Sequence, residues 1–130
     1  MVLTVDVGNT NIVLGGFQED TLLFVSRMRT DKYKMPDEYA IEFKAILEYH
    51  GYSPRMFEGC ILSSVVPSLI PDLKNAISHL LNCRVFAVLP GTKTGLNIQI
   101  DDPAILGADL VCGAVGSIKR HSLPCIVIDL

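Results

Sequence analysis

The stretch TVDVGNTNIVLGG, residues 4–16, decides the fold, because it predicts a strand, a tight turn and a second strand in close succession. Residues 2–8 are apolar and β-branched, which is typical of a buried strand. A glycine-asparagine pair marks the turn, and residues 11–17 predict a strand that returns beside the first. Asp6 stands at the end of the first strand, where a carboxylate needs a compensating partner if the strand is buried. The stretch therefore predicts a β-hairpin whose turn lies beside an acid.

The rest of the chain predicts an α/β fold. Residues 21–30 predict a third strand, so the first three strands form an antiparallel meander. Asp102 is a candidate N-cap for the last helix, which Pro103 opens. A mixed five-stranded sheet with helices packed on it follows, in the order β-β-β-α-β-α-β-α. The elements predicted after the meander are a helix over 37–50, a strand over 59–66, a helix over 67–82, a strand over 85–89, a helix over 104–121 and a strand over 125–130.

The last predicted strand suggests a second domain. Its letters IVID repeat the pattern LTVD of the first strand, an apolar run that ends in aspartate. An exposed apolar strand at the edge of a domain invites aggregation. We therefore expect residues 1–122 to form one domain and residues 123–130 to be the first strand of a second domain in a longer protein.

Composition narrows the class of protein. The chain has 130 residues, of which 49% are hydrophobic and 19% charged, and a net charge of −3. This length and hydrophobic content favour one domain with a hydrophobic core. The sequence shows no basic cluster typical of nucleic-acid binding and no apolar run long enough to span a membrane. The four cysteines form no C-x-x-C pair, which is typical of reduced core thiols. Since no signal peptide is recognised either, we expect a cytoplasmic protein.

Asp6 and the turn after it are the first candidate site. A carboxylate at a strand end can hold Mg²⁺ directly or through water. Backbone N–H groups and the side chains of Asn9, Thr10 and Asn11 could bind phosphate oxygens. An ordinary hairpin turn that Asp6 caps explains the same residues. Neither a P-loop nor a G-x-G-x-x-G motif is present.

The stretch LGADLVCGAVG, residues 106–116, is the second candidate site. Helical spacing places Ile105, Asp109 and Cys112 along one side of the predicted helix. A carboxylate beside an apolar face of small residues is a candidate general base. Tight helix packing, with Asp109 interacting with the helix dipole, is the alternative. The stretch SSVVP, residues 63–67, offers two hydroxyls at a strand end and is equally explained as a simple strand-to-helix turn.

Taken together, the motifs resemble those of one family. The segments DVGNTN, SVVP, KTGLNI, DDPAILGAD and VID are similar in order and spacing to type III pantothenate kinase. That family belongs to the actin/hexokinase/Hsp70-like kinase superfamily, so the resemblance implies a ribonuclease H-like, actin-like ATPase domain. It runs over the whole chain but covers only about the first half of a typical family member.

The resemblance implies ATP-dependent phosphorylation of pantothenate to 4'-phosphopantothenate, the first step of coenzyme A biosynthesis. Asp109 would be the catalytic proton acceptor, Asp6 would hold Mg²⁺ through water, and Asp129 would hold a monovalent cation, K⁺ or NH₄⁺. The family also implies a homodimer with active sites close to the subunit interface. The implied ATP-binding residues are Asp6, Val7, Gly8, Asn9, Thr10, Asn11, Ile12 and Val13, and the implied substrate-binding residues are Gly107, Ala108, Asp109, Leu110 and Ile100.

Two departures from the family pattern leave alternatives open. Many family members have arginine where Leu110 stands and tyrosine where Ile100 stands, and losing a guanidinium should weaken binding of a substrate carboxylate. A kinase of the same fold with another small-molecule acceptor is therefore one alternative. A non-catalytic transcriptional accessory or regulatory protein is another. The second phosphate motif would continue after Asp129 with glycine and threonine, so we expect little kinase activity from the 130 residues alone.

Overall fold

A five-stranded mixed sheet forms the centre of the fold. The structure, a computed structural model, describes residues 1–128. The strand order is β3-β2-β1-β4-β5, antiparallel between β1, β2 and β3 and parallel from β1 to β4 and β5. The predicted meander and five-stranded mixed sheet are confirmed. The strands are β1 (Val2–Val7), β2 (Asn11–Gln18), β3 (Thr21–Arg29), β4 (Gly59–Ser64) and β5 (Arg84–Ala87).

Two helices cover one face of the sheet. These are α1 (Pro36–Tyr49) and α2 (Ile70–Leu81), which also contact each other. Pro36 suits the first turn of α1, where no N–H partner is needed, and the Glu38 carboxylate accepts the N–H of Met35 at 2.8 Å. Gly51 follows the helix with φ at +82°, a conformation that favours glycine and ends the helix.

Alternation along β1 separates the core from the opposite face. Leu3, Val5 and Val7 are buried against α1 and α2, so Thr4 and Asp6 lie on the other side of the sheet. The helix α3 (Ala108–Arg120) packs against β4. The core therefore occupies one face of the sheet, while the candidate site residues lie on the other or at the strand ends.

The last helix begins later than the sequence predicts. Asp102 does act as a cap, but its carboxylate accepts the N–H of Ala104 at 3.0 Å and caps a separate 3₁₀ turn, Pro103–Ile105. Leu106 is extended with ψ at 126°, and Gly107 with ψ at 141°, so the chain leaves the helical conformation before α3 starts. The expectation that Ile105 shares a helix face with Asp109 is therefore wrong.

The predicted last strand is not formed in its described part. Residues 125–128 have no strand partner within the described chain, and Ile126 and Ile128 are exposed. A strand needs a neighbour to take up its N–H and C=O groups, and the described sheet consists of β1 to β5 alone. Residues 129–130 lie outside the described residues, and the division at residue 122 stays a prediction.

Candidate functional site

The turn over residues 8–11 joins β1 to β2 and presents free donors. The Gly8 N–H donates to the Asn11 carbonyl at 2.9 Å, which closes the turn. The N–H groups of Asn9 and Thr10 donate to no other group of residues 1–128, and both residues are exposed. Free N–H groups in a turn attract anions. The turn therefore has the donors that a phosphate needs.

Thr30 holds this turn from the end of β3. Its hydroxyl donates to the Gly8 carbonyl at 2.7 Å, and its N–H donates to the Thr10 carbonyl at 2.9 Å. Sequence analysis missed this residue. The available signal was the meander itself, because in a three-stranded antiparallel sheet the end of the third strand lies beside the first turn.

Of the other predicted ATP-binding residues, Asp6 and Val13 face the open side of the sheet. They are register partners on β1 and β2. Val7 and Ile12 are buried in the core, so their side chains are not available to a ligand. Asp6 is exposed, which corrects the expectation that its carboxylate needs compensation for burial.

Asp109 lies in the first turn of α3. Its side chain is partly buried, and Oδ1 accepts the N–H of Leu110 at 2.8 Å. A Cβ at Gly107 would approach Asp109 Oδ1 to 2.4 Å, so glycine at this position leaves room for the carboxylate. The local chain thus holds Asp109 in one orientation, with a second oxygen free for other partners.

Cys112 connects the two acids in space. The pKa of its thiol is raised, chiefly because burial disfavours the thiolate; the neighbouring Ser63 hydroxyl opposes this shift. The negative charges of Asp6 and Asp109 both add to the increase. The charges of both acids, one on β1 and the other on α3, thus act on the same thiol. Asp6 is the register partner of Ser63 on β4, and α3, which carries Asp109, packs against the same strand.

The two serines at the end of β4 have different environments. The Ser64 hydroxyl donates to the Val66 carbonyl at 3.1 Å and accepts the Val66 N–H at 3.0 Å, which is a local turn. Ser63 is buried, with 5% of its surface exposed, and its hydroxyl faces the Cys112 thiol without meeting the geometry of a full hydrogen bond. Ser63 is the register partner of Asp6, so this hydroxyl lies beside that acid.

A large cavity opens next to the start of α3. Its volume is about 970 Å³, at the upper end of the range for small-molecule pockets. Gly107 and Ala108 line it together with the end of β4 and the loop over residues 88–106. Most of the lining is apolar, and its polar side chains are Ser64, Thr92, Thr94 and Asp102.

Other predicted site residues are not gathered at this cavity. Leu110 and Ile100 are 44% and 46% exposed and do not line it. Asp109 is a neighbour of the lining residues rather than one of them. Asp129, the predicted ligand of a monovalent cation, lies outside the described residues.

The donor set fits a weakly held, water-mediated magnesium ion better than an all-protein metal cage. Within residues 1–128, no group of three or more His, Cys, Asp and Glu side chains is arranged to hold a metal. Asp6 is exposed and in no ion pair with a described residue, so its carboxylate is available to a hydrated ion.

Among the described residues 1–128, no helix is both long and apolar enough to cross a bilayer.

The mixed sheet and its three helices place the described chain in a class of α/β domains and are consistent with the actin-like ATPase fold. Comparison with known proteins gives the family. The sequence model of type III pantothenate kinase matches residues 2–130. The chain belongs to the type III pantothenate kinase family.

Curated relatives agree with this assignment. The chain is 42% identical over 129 residues to a type III pantothenate kinase of an Exiguobacterium species, 38% to that of Halalkalibacterium halodurans and 41% to that of Bacillus cytotoxicus. Each comparison covers 99% of this chain, but 51%, 51% and 49% of the respective relative. The chain thus spans about half the length of the curated relatives that it matches.

Proposed function

We propose that the protein containing this chain transfers the γ-phosphoryl group of ATP to pantothenate, giving 4'-phosphopantothenate for coenzyme A synthesis. The observation that supports this most strongly is the arrangement around β4: its Ser63 is the register partner of Asp6, and the helix that carries Asp109 packs against the same strand. Asp6 lies on β1 just before the turn with free N–H donors, and Asp109 lies at the start of a helix beside a large cavity. A nucleotide and an acceptor need such neighbouring sites.

On the nucleotide side, the turn and its flanking residues bind ATP. The N–H groups of Asn9 and Thr10 are free for phosphate oxygens, and the side chains of Asn9, Thr10 and Asn11 are exposed beside them. Asp6 is positioned to hold Mg²⁺ through water, and the ion when bound neutralises phosphate charge. Phosphoryl transfer depends mainly on such positioning and charge neutralisation.

On the acceptor side, Asp109 orients and deprotonates the hydroxyl. The hydroxyl oxygen forms a bond to the γ-phosphorus while the bond from that phosphorus to the β–γ bridging oxygen breaks, and ADP leaves. The hydroxyl proton passes to Asp109, whose Oδ1 is already oriented by the Leu110 N–H. Gly107 and Ala108 line the adjoining cavity, which is large enough for pantothenate.

The wider assembly follows from the family. We propose that Asp129 holds a K⁺ or NH₄⁺ ion, that the protein is a cytoplasmic homodimer and that residues 123–130 begin its second domain. The sequence motif VID at the end of the chain supports the role of Asp129. These statements concern a protein longer than the described residues.

A second candidate is a kinase of the same fold that acts on another small acceptor. Two observations favour it: Leu110 offers no charge for a substrate carboxylate, and Ile100 does not line the cavity. A non-catalytic regulatory role is the remaining alternative, although the net charge of −3 argues against direct DNA contact.

Labelled phosphate transfer tests the proposal. The protein expressed from its complete coding region is given γ-labelled ATP and a panel of acceptors that contains pantothenate and other small alcohols. Transfer to pantothenate above all others is the expected result. Transfer to a different acceptor would establish the second candidate, and no transfer to any acceptor would overturn kinase function.

A further inference from the structure

We propose that β3 and the residue directly after it contribute to the nucleotide site: Thr30, which follows β3, positions the turn over residues 8–11, and Arg27 on β3 contacts the phosphate groups. This inference rests on the proposed function, since it concerns the same ATP site. Neither residue belongs to the motifs that identify the family in the sequence. Both positions follow from the hydrogen bonds and register of the meander.

Thr30 decides which groups of the turn face a ligand. Its hydroxyl and its N–H take up the carbonyls of Gly8 and Thr10, at 2.7 and 2.9 Å. A carbonyl oxygen near a phosphate would repel it, whereas an N–H would bind it. Because both carbonyls are bonded to Thr30, the N–H groups of Asn9 and Thr10 are left for the anion. Thr30 is thus a positioning residue that acts through the turn.

Arg27 lies level with Asp6 on the same face of the sheet. Val13 is the register partner of Asp6 on one side and of Arg27 on the other. Residues paired in this way project from one face, and neighbouring strands are about 4.8 Å apart, so Asp6 and Arg27 are about 10 Å apart at the backbone. A long arginine side chain spans most of that distance. Its guanidinium can therefore reach a phosphate bound between the turn and Asp6.

The charge balance of the site favours this role. Asp6 and Asp109 are both acids, and a triphosphate adds further negative charge. Lys119 is paired with Asp20, while Arg27 is in no ion pair with any residue in the described range 1–128. An available guanidinium binds phosphate through paired, charge-assisted hydrogen bonds. Arg27 is the arginine that the register places beside Asp6.

Nucleotide titration tests Arg27. In the protein expressed from its complete coding region, affinities for ATP and for adenosine are measured by calorimetry for wild type, Arg27→Gln and the control Arg84→Gln. Arg84 is an exposed arginine on the other edge strand, stacked on Phe86 at the far end of the sheet. We expect Arg27→Gln to weaken ATP about 10- to 100-fold, as for a lost hydrogen bond to a charged group. Adenosine affinity and the control variant should not change.

The alternative is that Arg27 only prevents the exposed edge of β3 from pairing with another strand. In that case, Arg27→Gln binds ATP as the wild type does, and the phosphate contact is refuted. An equal loss of ATP and adenosine affinity would also refute it, because the effect would then not depend on phosphate.

Thr30 is tested by removing its hydroxyl and then restoring it. Thr30→Val keeps the shape but not the hydrogen bond to Gly8, and Thr30→Ser keeps the hydroxyl. We expect Thr30→Val to raise KM for ATP several-fold, about 5- to 10-fold for one lost hydrogen bond, with KM for the acceptor unchanged. Thr30→Ser should restore most of the loss, and Thr21→Val at the other end of β3 is the matched control. A Thr30→Val enzyme with wild-type KM for ATP, or failure of the serine variant to restore it, would overturn the positioning role.

Failure of the proposed function and failure of the roles of Thr30 and Arg27 give different results. A wild-type protein that neither binds ATP nor transfers phosphate refutes the proposed function. A wild-type protein that does both, with Arg27→Gln and Thr30→Val equal to it, refutes only the role of β3.

Discussion

In the proposed reaction, Asp109 is the residue on which proton transfer depends, and its position is set by its neighbours. The Leu110 N–H donates to one carboxylate oxygen, and Gly107 leaves room for that oxygen. The side chain is only partly buried, so its substitution disturbs little packing. Loss of function at this position can therefore be separated from loss of folding.

Asp109→Asn in the full-length protein should lower kcat by about 10²- to 10⁴-fold, because an amide cannot accept the proton of the acceptor hydroxyl. Thermal unfolding should shift little. Steady-state kinetics and a melting curve measure the two effects. Asp101→Asn, which changes an exposed acid in the preceding loop, serves as the control. Turnover near the wild-type rate in Asp109→Asn would show that another group takes the proton.

Gly107→Ala should reduce turnover without unfolding the protein. The added methyl group would meet Asp109 Oδ1 at 2.4 Å, and that oxygen is the end of a side chain that can turn away. The carboxylate would then leave its working orientation. The control is Gly113→Ala, where the described structure leaves open space and alanine should stabilise α3 by about 1 kcal/mol. Wild-type turnover in Gly107→Ala would mean that the orientation of Asp109 does not matter.

At the scale of secondary-structure elements, the pattern of apolar and turn residues predicted the sheet well and the last helix poorly. Alternation and turn residues in residues 2–30 were enough to predict the meander, because each strand pairs with its sequence neighbour. The start of α3 depends instead on two extended residues, Leu106 and Gly107, that carry no strong local signal. The helical pattern continues across these two residues, so it predicted that Ile105 belongs to α3, whereas Ile105 lies in the preceding 3₁₀ turn.

The candidate site was predictable in its motifs but not in its contacts. Asp6 and Asp109 stand out because acids are rare in apolar stretches. Thr30 does not stand out, since its role depends on hydrogen bonds to a turn about twenty residues earlier in the chain. The loop beside α3, whose residues line the cavity, has no periodicity that could predict its path.

The docking of α1 gives a prediction about stability and pH. The buried Tyr39 hydroxyl donates to the Asp31 carbonyl at 2.6 Å and accepts the Asp31 N–H at 3.2 Å. Tyr39→Phe should therefore lower the free energy of unfolding by about 1–2 kcal/mol. Urea denaturation measures this, with Tyr33→Phe, an exposed tyrosine, as the control.

Tyr39 also makes the free energy of unfolding depend on pH. Burial raises the pKa of Tyr39 in the folded protein, because it disfavours the phenolate. Folding thus favours the protonated form, and this contribution is complete below about pH 10 and is lost as the pH rises above that value. Stability of the wild type should fall more steeply than that of Tyr39→Phe as the pH rises above about 10. Parallel curves would contradict the assignment.

At the scale of the whole molecule, the chain spans about half the length of its curated relatives. We propose that a second phosphate motif after Asp129 completes the nucleotide site in the full-length protein. The 130-residue chain expressed alone should therefore show little or no kinase activity, while the protein from the complete coding region is active. Phosphate transfer from labelled ATP measures both. Full activity in the 130-residue chain would refute the proposal that residues beyond this length complete the nucleotide site.

The two-sided sheet has a consequence for how such an enzyme can diversify. Residues that keep the domain folded lie between the sheet and α1 and α2, whereas Asp6, Ser63 and Cys112 lie on the reverse side. Substitutions on that reverse side should therefore leave the scaffold intact. For the proposed kinase, acceptor selectivity can then change in small steps, since such a change does not require simultaneous repair of the hydrophobic interior.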